Sequence, residues 1–178
     1  MQPWVKQNNI LTGLPLYTEI KMDSYSICVS TRLLINCSKN QVWRFICDVE
    51  NMDRWVRGFS KTHWVSISDE LRVGSLFNTL FSYRGKEHNV GFKITKYIVE
   101  STFGFETETG NLHYSSIIDL EEVDGATRLK LTMLTGSQNK ERSFLSSIVN
   151  KLYTWSMGRQ VRKELNLLKK TIELGNVK

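Results

Sequence analysis

From Ile27 onward the chain alternates, with Ile27, Val29, Thr31, Leu33 and Ile35 at every second position and Arg32 and Asn36 on the other side. A period of two is that of a strand with one buried face. The period changes at Asn36-Cys37-Ser38, where Ser38 is placed to cap a helix whose apolar residues, Val42, Phe45, Ile46 and Val49, follow at helical spacing. Glu50 to Trp55 forms a second short helical turn. Six further strands are predicted at Phe59–Ser68, Ser75–Tyr83, Glu87–Tyr97, Thr102–Glu108, Leu112–Glu121 and Thr127–Thr135. They are separated by turn signals such as Arg84-Gly85, Gly110-Asn111 and Asp124-Gly125. Connections this short require antiparallel neighbours, so the seven strands form one bent meander.

The alternation separates a dry face from a wet one. Phe77, Thr79 and Phe81 share the dry side with Val90, Phe92 and Ile94, then with Phe103, Phe105 and Thr107. Tyr114, Ser116, Ile118 and Leu120 continue it, and Leu129, Leu131 and Met133 complete it, while Lys93, Thr95, Glu106, Arg128 and Lys130 fall on the wet side. From about Lys140 to Leu174 the period is helical, with two apolar lines: Phe144, Ile148, Leu152 and Trp155, then Met157, Val161, Leu165, Leu168 and Ile172. Gly158 stands where one gives way to the other. A glycine inside a helix costs about 1 kcal/mol relative to alanine, so either the helix bends there or its missing side chain leaves room for a ligand. Large flat rings with hydroxyls spaced among them suit either an ordinary aromatic core or the wall of a pocket.

Ile35, Val42, Trp43, Asp48 and Trp55 resemble the opening of the START-like (SRPBCC) superfamily, which includes the polyketide cyclase/dehydrase and lipid-transport proteins and the birch-pollen allergen. Val73-Gly74-Ser75-Leu76-Phe77 is similar to the V-G-x-x-F element of such proteins, and Gly125-Ala126-Thr127-Arg128-Leu129 to their G-x-T-R-L turn. The resemblance covers residues 25–174. It implies an α+β helix-grip fold, a bent seven-stranded antiparallel sheet wrapped around a long C-terminal helix with two short helices after the first strand. It also implies an internal hydrophobic cavity. Candidate lining residues are Trp55, Phe77, Thr79, Phe81, Phe92, Phe103, Phe105 and Thr107 from the first part of the domain. Tyr114, Ser116, Ile118, Met133, Met157, Gly158 and Val161 join them from its last strands and helix. Membership restricts the mechanism without choosing it. A carrier of a lipid, isoprenoid or polyketide is the first expectation, a cofactor-independent cyclase, aromatase or dehydratase the second, and a chaperone-cofactor-like interaction protein the third.

Composition fits one domain, 178 residues with 40% hydrophobic and 24% charged. Residues 1–24 hold both prolines and show no sustained period, so they read as an extension to a domain spanning 25–174, with 175–178 as a tail. Translation starting at Met22 is compatible with this, and so is a lid built from Trp4, Leu14, Leu16 and Tyr17. No apolar run has the length of a membrane helix or a secretory signal, and the expected location is the cytoplasm. Cys28, Cys37 and Cys47 read as reduced, buried thiols. His63, His88 and His113 lack chelating spacing and no nucleotide fingerprint is present, so neither metal nor cofactor is expected. His88 and Tyr114 are the first candidates for acid or base work. The net charge of +6 is concentrated around Arg159, Arg162, Lys163, Lys169 and Lys170, beside Lys151. A solvated helix face accounts for this cluster, and an anionic membrane surface or an acidic carrier protein is the partner it would suit. No nucleic-acid-binding module is recognisable.

Overall fold

A computed structural model describes residues 17–22, 26–65, 71–83, 85–109, 113–136 and 146–175. Strands β1 (Tyr17–Met22) and β2 (Ser26–Ile35) are followed by helix α1 (Lys39–Cys47) and a 3-10 helix, Val49–Arg54. Strands β3 (Phe59–Trp64), β4 (Leu76–Tyr83), β5 (Lys86–Ile98), β6 (Thr102–Thr109), β7 (His113–Val123) and β8 (Ala126–Gly136) come next. Helix α2 (Ser146–Glu173) closes the chain. All strand pairs are antiparallel, in the order β1-β2-β8-β7-β6-β5-β4-β3. The seven expected strands are present, and the sheet and helix form the expected helix-grip architecture.

The sheet gains an eighth strand from the segment read as an extension. Tyr17–Met22 pairs with β2 from Tyr17↔Arg32 to Met22↔Ile27. Its six residues are too short a run to register as a strand when proline, glycine and asparagine surround them. The lid suggested for the N-terminus lies outside the described residues, as do the positions of Trp4, Leu14 and Leu16.

Local sequence explains the elements. Ser38 caps α1 through a reciprocal pair, its Oγ accepting from the Gln41 N–H and the Gln41 side chain accepting from the Ser38 N–H. Val42, Trp43, Phe45 and Ile46 are thereby turned into the core. Asp48 caps the 3-10 helix by accepting from the Glu50 N–H. Asp124-Gly125 turns β7 into β8 with φ values of 50° and 77°, the left-handed pair that a two-residue hairpin turn requires.

The dry face is as its alternation indicates. Phe77, Phe92, Phe103 and Phe105 are buried with Ile94, Ile118, Leu129 and Leu131, and α2 lays Val161, Leu165, Leu168 and Ile172 against them. Two carboxylates on α2 fasten it to the sheet side. Glu173 Oε1 accepts from the Asn36 N–H at 2.7 Å, where β2 ends, and Glu164 Oε1 accepts from the Arg57 N–H at 3.2 Å, where the 3-10 helix has just ended. Helix α2 runs unbroken through Gly158, which is buried. Phe144 and the side chains of Ile148, Leu152 and Trp155 lie outside the described residues.

Candidate functional site: a cavity between sheet and terminal helix

Between the inner face of the sheet, the loop after the 3-10 helix and the first described side chains of α2 there is a cavity of about 690 Å³. Val90, Phe92, Met133, Val161 and Glu164 are its buried residues; Arg57, Gly58, Ser82, Ser156 and Gln160 are exposed lining residues and form its mouth. Val56, Phe59, Phe81, Tyr114, Thr135 and Met157 lie between the two. Gly58 belongs here for a steric reason. Its φ is 88°, and a Cβ there would meet Phe81 and the Ser82 carbonyl oxygen at 3.1 Å. The Ser82 N–H donates to the Gly58 carbonyl at 2.8 Å, which seats the loop on β4.

Of the residues expected from sequence, the cavity brings together Phe81, Phe92, Tyr114, Met133, Met157 and Val161. Trp55, Phe77, Phe103, Phe105 and Ile118 are packed in the core and do not line it. Phe77 stacks on Phe92 at a centroid distance of 5.0 Å, and Phe105 meets both rings edge-on, so these aromatics support the wall rather than face the space. Trp55 is buried with its Nε1 lacking a hydrogen-bond partner among the described residues. Gly158 also lies off the lining.

The hydroxyls expected to address a ligand serve the fold. Thr79 Oγ1 donates to the Ser60 carbonyl at 3.2 Å and shares a 2.8 Å hydrogen bond with Thr62 Oγ1, which is in turn bonded to Asp53. Thr107 Oγ1 accepts from the Tyr114 N–H at 3.2 Å and donates to the Tyr114 carbonyl at 3.4 Å, extending the ladder between β6 and β7 beyond its last backbone pair. Ser116 is hydrogen-bonded to the Tyr114 side chain. Buried hydroxyls find partners, and here the nearest ones are internal.

The chemistry of the cavity is concentrated in Glu164, Tyr114 and Arg57. Glu164 is 3% exposed. Its Oε1 accepts from Gln160 Nε2 at 3.0 Å as well as from the Arg57 N–H. Burial pushes its carboxyl above the ordinary carboxylate range, against the opposing effects of these two hydrogen bonds and of the Arg57 charge. Burial, and then the neighbouring Glu164 carboxylate, raise the Tyr114 phenol, with the Ser116 hydrogen bond acting the other way. Both groups are therefore biased toward their protonated, hydrogen-donating forms. Glu164 could be found in the sequence only by its position. It stands three residues after Val161 and seven after Met157, within the buried stripe of α2, although its type suggests a solvated charge.

His88, the other acid-base candidate, is exposed on β5 and does not line the cavity. His63 is also exposed, its Nδ1 within 2.8 Å of the Lys61 carbonyl. Among the described residues no cluster of His, Cys, Asp and Glu could hold a metal ion. The three cysteines are half-buried and form no disulfide, and burial pushes the Cys47 thiol up to about 12. On α2, Arg159, Lys163 and Lys170 are exposed, whereas Lys169 is paired with Glu173 at 3.7 Å. No helix among the described residues is long and apolar enough to cross a membrane.

A bent sheet gripping a terminal helix with a cavity between them invites comparison with known proteins. Residues 26–173 match the family described as polyketide cyclase / dehydrase and lipid transport. The chain belongs to this family. No curated protein matches it. Solved structures share the family fold at low identity. TTHA0849 from Thermus thermophilus is 16% identical with a TM-score of 0.65, over 82% of this chain and 96% of that one. The ZhuI aromatase/cyclase from Streptomyces sp. R1128 is 12% identical with a TM-score of 0.66, over 83% and 94%. Ara h 8.0201 is 12% identical with a TM-score of 0.57, over 83% and 97%. At these identities the likeness concerns the fold, and the family's breadth leaves the chemistry to the cavity itself.

Proposed function

We propose that the protein binds an apolar small molecule, such as a lipid, isoprenoid or polyketide, in the cavity between sheet and α2, for transport or sequestration. The observation that carries this reading is the cavity of about 690 Å³, walled by Val56, Phe59, Phe81, Val90, Phe92 and Met133. Ligand pockets fall at roughly 300–1,000 Å³ and are mostly apolar with a few placed polar groups. A closed core would have favoured the interaction-protein reading instead. The exposed Arg159, Lys163 and Lys170 are the residues through which an anionic membrane surface or an acidic carrier protein would deliver such a ligand.

A second reading, a cyclase, aromatase or dehydratase, draws support from Glu164 and Tyr114, two proton donors lining the same cavity. Acid groups beside a bound polyketone can assist enolisation and loss of water without a cofactor. Native mass spectrometry of freshly purified protein, with extraction of any retained compound, tests both. A retained lipid, isoprenoid or polyketide supports binding, and its conversion on incubation moves the protein from carrier to enzyme. Protein that stays empty and takes up none of these classes on addition ends the ligand-binding reading.

A further inference from the structure

The cavity has one polar pole, and the hydrogen bonds there constrain what can face it. Glu164 Oε1 already accepts two N–H donors, from Arg57 at 3.2 Å and from Gln160 at 3.0 Å. In a neutral carboxyl the oxygen that accepts two donors is the carbonyl oxygen, so the proton belongs on Oε2. No acceptor for that proton is provided by the described residues, although Glu164 lines the cavity. Among the described residues only Trp55 Nε1 is both fully buried and without a partner, so Oε2 is open to the cavity, and a ligand that displaces water there must take over as the acceptor.

We propose that the ligand carries a neutral carbonyl, of a ketone or ester, which accepts the Oε2–H of Glu164 while the apolar body of the molecule fills the remainder of the cavity. The inference rests on the cavity being a ligand site. A cationic amine is the competing occupant, because it would pair with an ionised Glu164. Two features oppose it. Arg57 brings positive charge to the mouth, and an apolar ligand that displaces water deepens the burial that already favours the neutral acid. Arg57, on the loop after the 3-10 helix, and Tyr114, on β7, are the other charged or titratable lining residues among those described. A guanidinium keeps its charge, and the raised phenol keeps its proton, so a rise in pH above the ordinary carboxylate range acts at this pole through Glu164.

A matched pair of probes tests this: 2-propionylnaphthalene, a ketone, and 2-propylnaphthalene, the same skeleton without the carbonyl, titrated into the wild-type protein by calorimetry. A carbonyl that finds no donor loses water without compensation and binds more weakly than the hydrocarbon. The expected result is a ketone bound about three- to tenfold more tightly where Glu164 is protonated, the advantage shrinking as pH rises and Glu164 ionises while the hydrocarbon's affinity stays level. Glu164→Gln retains an N–H donor and should keep a ketone preference that no longer depends on pH, and Glu164→Leu should lose it. Equal, pH-independent affinities for the two probes would overturn the inference and leave the cavity reading standing. A ketone preference that survives in Glu164→Leu would likewise overturn it. Failure of the wild-type protein to bind either probe would overturn the cavity reading and this inference together.

Discussion

A carboxyl group buried to 3% exposure and raised by that burial makes stability depend on pH in a definite direction. The folded chain holds the Glu164 proton above the ordinary value of 4.5 at which the unfolded chain releases it. The stabilising contribution of the neutral acid is therefore complete below that value and is lost as pH rises through the higher folded one. Thermal unfolding of wild type and Glu164→Gln across this range should show the variant gaining relative to wild type as pH increases, and a constant difference would remove the argument. Gly58 offers a second test. With φ at 88° and Phe81 and the Ser82 carbonyl 3.1 Å from a would-be Cβ, Gly58→Ala should cost about 1–2 kcal/mol, read from urea unfolding. Residue type alone pointed the wrong way at several positions. Thr79, Thr107 and Ser116 look like ligand contacts in a list of dry-face residues, yet each hydroxyl is taken up within the sheet. Only three-dimensional proximity reveals which partner is nearest.

At the scale of elements, the period of the sequence carried nearly everything it was asked to. Six of the seven expected strands begin and end within about two residues of the observed bounds, and the seventh, β3, stops at Trp64, ahead of undescribed residues 66–70. Phe77, Phe92, Phe103 and Phe105 of the dry face are buried as their alternation implies and Phe81 and Tyr114 are half-buried, but alternation cannot tell a ring that borders a cavity from one that stands behind it. Phe92 and Phe105 have the same pattern and different neighbours. Strand β1 escaped the reading because an edge strand of six residues needs no strong apolar stripe; its backbone pairing with β2 holds it. Deleting residues 1–22 would strip that pairing and expose the hydrogen-bonding edge of β2. The expected outcomes are a melting temperature lower by a few °C, on the order of 1–2 kcal/mol, and greater self-association by light scattering. An unchanged melting temperature would show that β1 adds nothing to the domain.

For the molecule as a whole, a cavity of about 690 Å³ next to the core means that the empty protein lacks contacts a ligand would provide. Any compound that fits should stabilise the fold in proportion to its affinity. At a free concentration of about 100 times Kd the gain is about 2.7 kcal/mol, which for a chain of this size corresponds to roughly 5–10 °C in melting temperature. Screening lipids, isoprenoids and polyketones by thermal shift should therefore rank ligands directly. If no compound in any of these classes raises the melting temperature, the space is not a binding site.

The strand order also dictates a schedule. β2 pairs with β8, Ser26 opposite Gly136 and Ile35 opposite Thr127, so a strand made early waits for the last one. Ninety residues, 36–125, separate them, and at a synthesis rate of about 5–20 residues per second the wait is roughly 5–20 s. During that interval the meander from β3 to β7 can assemble from local hairpins, while β1 and β2 have only each other. Closure of the β2–β8 seam is then the slow, long-range event of folding, and the cavity, whose walls come from the loop after the 3-10 helix and from β3, β4, β5, β7, β8 and α2, cannot exist before it. A nascent chain on the ribosome should accordingly have no means of capturing its ligand until β8 and α2 have been made.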